Sequence, residues 1–364
     1  MDSRKWVLRT IAFSLAALVI IAAVAFLFDP FMQYRVTDYK YFLRSRYVNP
    51  GIIKNYPYDT VVIGSSMMQN FNMQSFRDKL DCDPIKVTIG GISMNEILEL
   101  IGLINRQNKA QKMYMSTDLY LLNSISATDR MRIPRHLLDD NFINDYKYLL
   151  GYETWMRFIP VNIVINAMYL LGMDIPDKIY QSTDIDYIEY WNDDFTFGED
   201  IVINYYLRTR NSVAVADNDN DYVGDLSNVN ALYDRMVLRF NEFAETIDTE
   251  KEYVFYFSPY SALFWYQAKK DGYFDIYQDV KIYMINILSE MGNVTVHDFQ
   301  SMPSISDLSI YKDLRHYNAQ INEYMIDCFA NGDYIVDAQT IVASIEKLRA
   351  LVTQFEQENS SWLD

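Results

Sequence analysis

Residues 61–68 read VVIGSSMM: three β-branched apolar residues, a glycine, two serines and two methionines. Val, Ile and Val at this density favour a buried strand, and Gly-Ser-Ser ends it. Two readings follow. Gly and Ser are ordinary turn residues, so the stretch is a strand-to-helix turn. Alternatively the sheet holds a serine at its tip, as a nucleophile requires. The flanking sequence decides what the strand belongs to.

Working outward, Asn72 caps a short helix through Leu80, and Ile85–Ile89 is a second strand followed by Gly90-Gly91. Ser93 and Glu96 are spaced as a capping box, opening a helix whose apolar residues recur at helical intervals. Lys112–Leu122 is a third strand region. Further on, Tyr253–Phe257 and Val294–Phe299 read as strands, and Tyr277–Met291, Asn318–Ala330 and Ala338–Gln357 as helices. Strands alternating with helices predict an α/β fold: a three-layer, flavodoxin-like parallel sheet with covering helices. Residues 125–245 break the rhythm. They are expected to be a helical and irregular insertion, with a helix at Pro160–Leu171 and a polar loop at 216–225. The expected organisation is an anchor over 1–28, a connector over 29–59, the α/β domain over 60–335 and a closing helix over 336–364.

The anchor is read from Ile11–Phe28, eighteen residues without a charge, preceded by Arg4, Lys5 and Arg9. That run, lengthened by Trp6–Leu8, is long enough to cross a bilayer. Ala23-Val24-Ala25 resembles a signal cleavage site, but the apolar run exceeds a usual signal core, so an uncleaved anchor is expected. Arg35, Lys40, Arg44 and Arg46 follow it and leave the charge asymmetry small. The expected placement is a single-pass membrane protein with its main domain outside the cytoplasm.

Composition narrows the function. The chain of 364 residues carries a formal net charge of −17, which repels phosphate backbones and argues against nucleic-acid binding. Two cysteines, Cys82 and Cys328, exclude a disulfide-rich scaffold and leave one bridge open. Three scattered histidines, His136, His297 and His316, offer no metal-ligand cluster, and no cofactor is expected.

In a parallel sheet, ligands bind beyond the carboxyl ends of the strands. Gly64-Ser65-Ser66, Gly90-Gly91, Ser116-Thr117-Asp118 and the loop after Phe299 all fall there. A serine hydroxyl needs a base, and the base needs a carboxylate to fix its tautomer. Asp313 stands three residues before His316, a spacing that brings the carboxylate to Nδ1. The other two histidines lack comparable placement.

This order of motifs resembles the SGNH (GDSL-like) hydrolase superfamily over about residues 60–124 and 250–330. Gly64-Ser65-Ser66-Met67 stands where that family has Gly-Asp-Ser-Leu. The resemblance implies Ser66 as nucleophile, Gly91 as an oxyanion-hole amide, and Asp313 and His316 as the remaining pair. Two departures stand out. Ser65 replaces the usual Asp, and Asp118 stands where the family has its oxyanion asparagine. An ionised carboxylate repels an oxyanion, and each missing donor costs on the order of 3 kcal/mol of barrier. The anchor and the Gly-Ser-Ser variant look like the membrane-anchored envelope branch, of the DltD and alginate O-acetyltransferase (AlgJ/AlgX) type. That implies acyl transfer to an envelope polysaccharide or teichoic-acid-type polymer, from an acyl donor supplied by a membrane-bound O-acyltransferase partner. The competing reading keeps the fold without catalysis, as a glycan-binding or assembly subunit of the envelope.

Overall fold

Five short apolar stretches form one five-stranded parallel sheet: β1 Thr60–Gly64, β2 Pro84–Thr88, β3 Lys112–Ser116, β4 Glu252–Phe257 and β5 Val294–Asp298, in the order β2-β1-β3-β4-β5. They belong to a computed structural model that describes residues 3–36, 44–123, 132–173, 196–210 and 229–363. The polar loop expected at 216–225 lies outside the described residues. The chain divides into two units, Met1–Tyr56 with Arg132–Ile185, and Pro57–Met131 with Asp186–Asp364. The stretch read as one insertion therefore contributes to both.

The sheet lies in the second unit and is buried on both faces, which is why its strands read as apolar runs without alternation. On one face Tyr114 of β3 and Tyr256 of β4 meet Phe329 of helix Ala319–Asn331, and Tyr114 also meets Phe76 of α3 (Met73–Leu80). On the other, Phe255 meets Phe243 of helix Val229–Ala244, and Phe257 faces Lys281 of helix Phe274–Leu288. Lys281 is fully buried, paired with Asp298 at 2.6 Å and bonded to Gln300 Oε1 at 2.9 Å. Helix Ile341–Glu358 closes this side, with Ser344 donating to Asp298 at 2.6 Å. The capping box forms as expected, Ser93 and Glu96 opening α4, Met94–Gln107.

The third strand is shorter than the sequence suggests. It ends at Ser116, and Leu119–Asn123 turns into a helix. Over so few residues an apolar run such as LYLL fits either period, and the polar Ser116-Thr117-Asp118 breaks the ladder.

Register levels the strand ends. Gly64 stands opposite Thr88, Ile63 opposite Met115, Met115 opposite Phe255, and Phe255 opposite Val296. The loops that follow thus share one edge. The order reverses direction between β1 and β3, and that switch point is where parallel sheets open a crevice.

In the first unit, α1, Ser3–Phe28, is the one helix among the described residues long and apolar enough to cross a membrane; at 1.5 Å per residue it spans about 39 Å. Asp29 ends it in the left-handed region, φ 41°. The Asp29 carboxylate is buried and accepts from the amides of Gln33, Tyr34 and Arg35 at 2.8–3.1 Å and from Tyr148 OH at 2.8 Å. Arg35 turns back to donate to the carbonyl of Phe26, complementing the negative helix end. Within the stretch read as a connector lies a helix, α2, Ser45–Asn55. Its Gly51 packs so close to the carbonyls of Phe31 and Met32 that a Cβ would collide with both.

Candidate active site

Gly64 closes β1 where there is no space for a side chain. A Cβ there would overlap Met68 Sδ and lie 2.8 Å from Ser116 Oγ. Ser65 follows as the N-cap of a single 3₁₀ turn, Ser66–Met68, its hydroxyl accepting from the Met67 amide at 3.2 Å. This cap sets the phase of the turn and so the direction of Ser66, whose side chain remains partly exposed.

The partner of Ser66 comes from 250 residues downstream. Tyr311 and Tyr317 bridge antiparallel, and the Lys312 amide donates to the His316 carbonyl at 3.0 Å, closing a tight loop. Ser261, just after β4, clamps the loop by donating from both its amide and its hydroxyl to the Leu314 carbonyl, at 3.1 and 2.7 Å. Within the loop Asp313 Oδ1 accepts from the amides of Arg315 and His316 at 2.8 and 2.9 Å. Its Oδ2 meets His316 Nδ1 at 2.7 Å. The other ring nitrogen, Nε2, lies 3.0 Å from Ser66 Oγ. His316 is buried, and Asn322 ties the following helix to the serine turn through the Met67 carbonyl at 3.4 Å. Burial pushes the Asp313 carboxyl up. The charge and hydrogen bond of His316, with the charges of Lys312 and Arg315, outweigh burial and hold it well below the usual carboxylate range.

Asp118 bonds the hydroxyl of Ser65, not that of Ser66. Its Oδ2 accepts from Ser65 Oγ at 2.6 Å and Ser116 Oγ at 2.9 Å; its Oδ1 accepts from Ser258 Oγ at 2.9 Å and Tyr260 OH at 3.0 Å. The side chain is only 2% exposed. Two hydroxyls thus meet each carboxylate oxygen. Thr117 fixes the loop from the other side, its amide and hydroxyl both donating to the Tyr256 carbonyl at 2.8 and 2.9 Å. Asp118 is therefore an acceptor that joins the loops after β1, β3 and β4. Ser258 and Tyr260 escaped the sequence reading, which placed Ser116 at this edge without its bond to Asp118. Their signal was present all the same: hydroxyl residues at the carboxyl end of β4.

Gly91 lies in the loop after β2 with φ 62°, a conformation that favours glycine. That loop is tied to β1 by the Ile89 amide donating to the Gly64 carbonyl at 3.0 Å. A Cβ on Gly90 would sit 3.9 Å from the Gln69 amide group, so the glycine pair borders the serine turn.

The other histidines serve elsewhere. His297 is buried on β5 with Nδ1 bonded to the Asp333 carbonyl at 2.7 Å. His136 belongs to the first unit. Cys82 and Cys328 are both free thiols. Among the described residues no cluster of His, Cys, Asp or Glu is arranged to hold a metal ion. No protein-family model matches the chain, and no curated protein matches it significantly in sequence.

Proposed function

We propose that the chain is a membrane-anchored, extracytoplasmic serine acyl-transfer enzyme of SGNH-like type, an O-acyltransferase or esterase acting on an envelope polysaccharide or teichoic-acid-type polymer. The observation that carries the chemistry is the line Asp313–His316–Ser66, with contacts of 2.7 and 3.0 Å, at the carboxyl edge of a parallel sheet. Support for the SGNH-like assignment comes from strand order β2-β1-β3-β4-β5 and from the position of Ser66 directly after β1. The envelope setting rests on α1 and on the resemblance in sequence.

Asp313 accepts a hydrogen bond from the Nδ1–H of His316 and holds the tautomer that leaves Nε2 as the acceptor facing Ser66. Nε2 takes the hydroxyl proton as Oγ forms a bond to the acyl carbonyl carbon. Negative charge moves to the carbonyl oxygen, where the amides of Ser66 and Gly91 are the assigned donors. Collapse expels the donor's alcohol or thiol, which takes the proton back from Nε2. The acyl group, now on Ser66, passes to an acceptor hydroxyl or to water by the same steps in reverse. A membrane-bound O-acyltransferase is the assigned supplier of the acyl group.

The test is mass spectrometry of the intact chain in detergent after treatment with a fluorophosphonate. The expected result is one adduct on Ser66, lost in His316→Ala. Folded protein without an adduct would favour the second reading, a non-catalytic envelope subunit. That reading draws on Asp118, whose acceptor sites are filled by hydroxyls and which supplies no oxyanion donor.

A further inference from the structure

The helix Ile159–Leu170 of the first unit is apolar on the side turned outward. Ile163, Val164, Ala167, Leu170 and Leu171 are all exposed, Leu170 by 83% and Leu171 by 73%. Spacings of one, four, seven and eight residues put them on a single helical face. The covered side carries Ile159, Asn162 and Ile165, all buried, and Asn166, half-buried; Tyr169, 60% exposed, lies off the outward apolar face. From Phe158 to Met173 the sequence has sixteen residues and no charge.

The start of this helix is fixed beside the exit of α1. Phe158, the residue before it, meets Phe31 edge-on at 4.5 Å, and Phe31 lies three residues past the end of α1. Tyr148 donates to Asp29 at 2.8 Å and accepts from the Phe31 amide at 3.2 Å, fastening the same segment to the turn that ends α1. With α1 in a bilayer, this face starts at the level of the membrane surface. Twelve residues reach about 18 Å, too short to cross a hydrocarbon core of about 30 Å and suited to lying in its boundary.

We propose that the face formed by Ile163, Val164, Ala167, Leu170 and Leu171 is a second membrane contact, seated in the lipid leaflet through which α1 emerges. The occupant is lipid because the face continues from the membrane span and bears no polar group. A protein interface of this size would carry a polar rim. The proposal rests on α1 spanning a bilayer and is independent of the serine chemistry.

The experiment places nitroxide labels by Ile163→Cys, Leu170→Cys and Asn166→Cys, with Leu18→Cys in α1 as the reference. Each is made in the full chain carrying Cys82→Ser and reconstituted into phosphatidylcholine–phosphatidylglycerol vesicles. Power saturation compares collisions with oxygen, which concentrates in lipid, against a water-soluble nickel chelate. Labels at 163 and 170 are expected to match the one at 18, oxygen-accessible and nickel-shielded, with 166 out of phase as an intact helix requires. Nickel access at 163 and 170, with 18 still in lipid, overturns the proposal while leaving the anchor standing. Shielding of both from both reagents also overturns it, since protein, such as a second copy, would then cover the face. A label at 18 open to nickel removes its premise and overturns it with the anchor.

Discussion

Ser65 Oγ and Asp118 Oδ2 stand 2.6 Å apart and join the loop after β1 to the loop after β3. Through this bond a buried carboxylate fixes the residue that caps the turn of Ser66. The two positions where the sequence departs from the SGNH pattern are thus partners. A hydroxyl stands on the first loop and a carboxylate on the third.

Asp118→Ala removes the shared acceptor of four buried or largely buried hydroxyls, and urea unfolding should show a loss on the order of 3 kcal/mol. Asp118→Asn keeps the shape but presents an NH₂ to two of the donors, and should cost about 1 kcal/mol. In both variants fluorophosphonate labelling of Ser66 should slow with the chain still folded. Unchanged stability in the alanine variant would show that the hydroxyls find other acceptors.

Gly64→Ala puts a methyl group against Met68 Sδ and Ser116 Oγ. Met68 is flexible at that end, but Ser116 is held by Asp118. Overpacking of this kind costs about 1–3 kcal/mol. Thermal unfolding should register the loss, and labelling of Ser66 should fall with it because the serine turn follows directly. The glycine in VVIGSSMM is required for space.

Acid should test Asp313. Its folded carboxyl titrates below the unfolded one, so as pH falls the unfolded chain binds the proton first. The stability from this group is complete above the unfolded value, about 3.9, and is lost as pH drops below it toward the folded value. Asp313→Asn should reduce stability at neutral pH on the order of 2 kcal/mol and flatten the acid limb of the denaturation curve. An acid limb unchanged from the parent chain would refute the linkage.

Lys281 and Asp298 form the fully buried pair beneath helix Ile341–Glu358. Removing one charge strands the other, at a cost of about 3–5 kcal/mol. Lys281→Met and Asp298→Asn should each destabilise strongly, and the double variant should lose clearly less than the sum. Additive losses in urea unfolding would mean the two groups act separately.

The sequence made the local parts of this structure readable. Ser93 and Glu96 declared their capping box, Asn72 declared its helix cap, and the β-branched run at 61–63 announced β1. Asp313 and His316 were legible together because their contact is set by three residues of chain. The contact from His316 to Ser66 could be placed only through the order of strands and loops, because 250 residues separate them. The Asp118 cluster was hidden for a related reason. Ser65, Ser116, Ser258 and Tyr260 each look like an ordinary turn residue, and only strand register sets them around one carboxylate. The end of β3 was misread because LYLL carries no period of its own, and the outward apolar face of helix Ile159–Leu170 has the same composition as a core helix.

The turn at Asp29 gives the first unit a mechanical property. Three consecutive backbone amides and a tyrosine hydroxyl converge on one side chain at the foot of α1. Such a joint resists twisting as well as pulling. If α1 turned about its axis, Tyr148 and the segment around it would have to turn too. Helix α1 is thus keyed to the segment that carries Tyr148, where a plain tether would let that segment swivel freely.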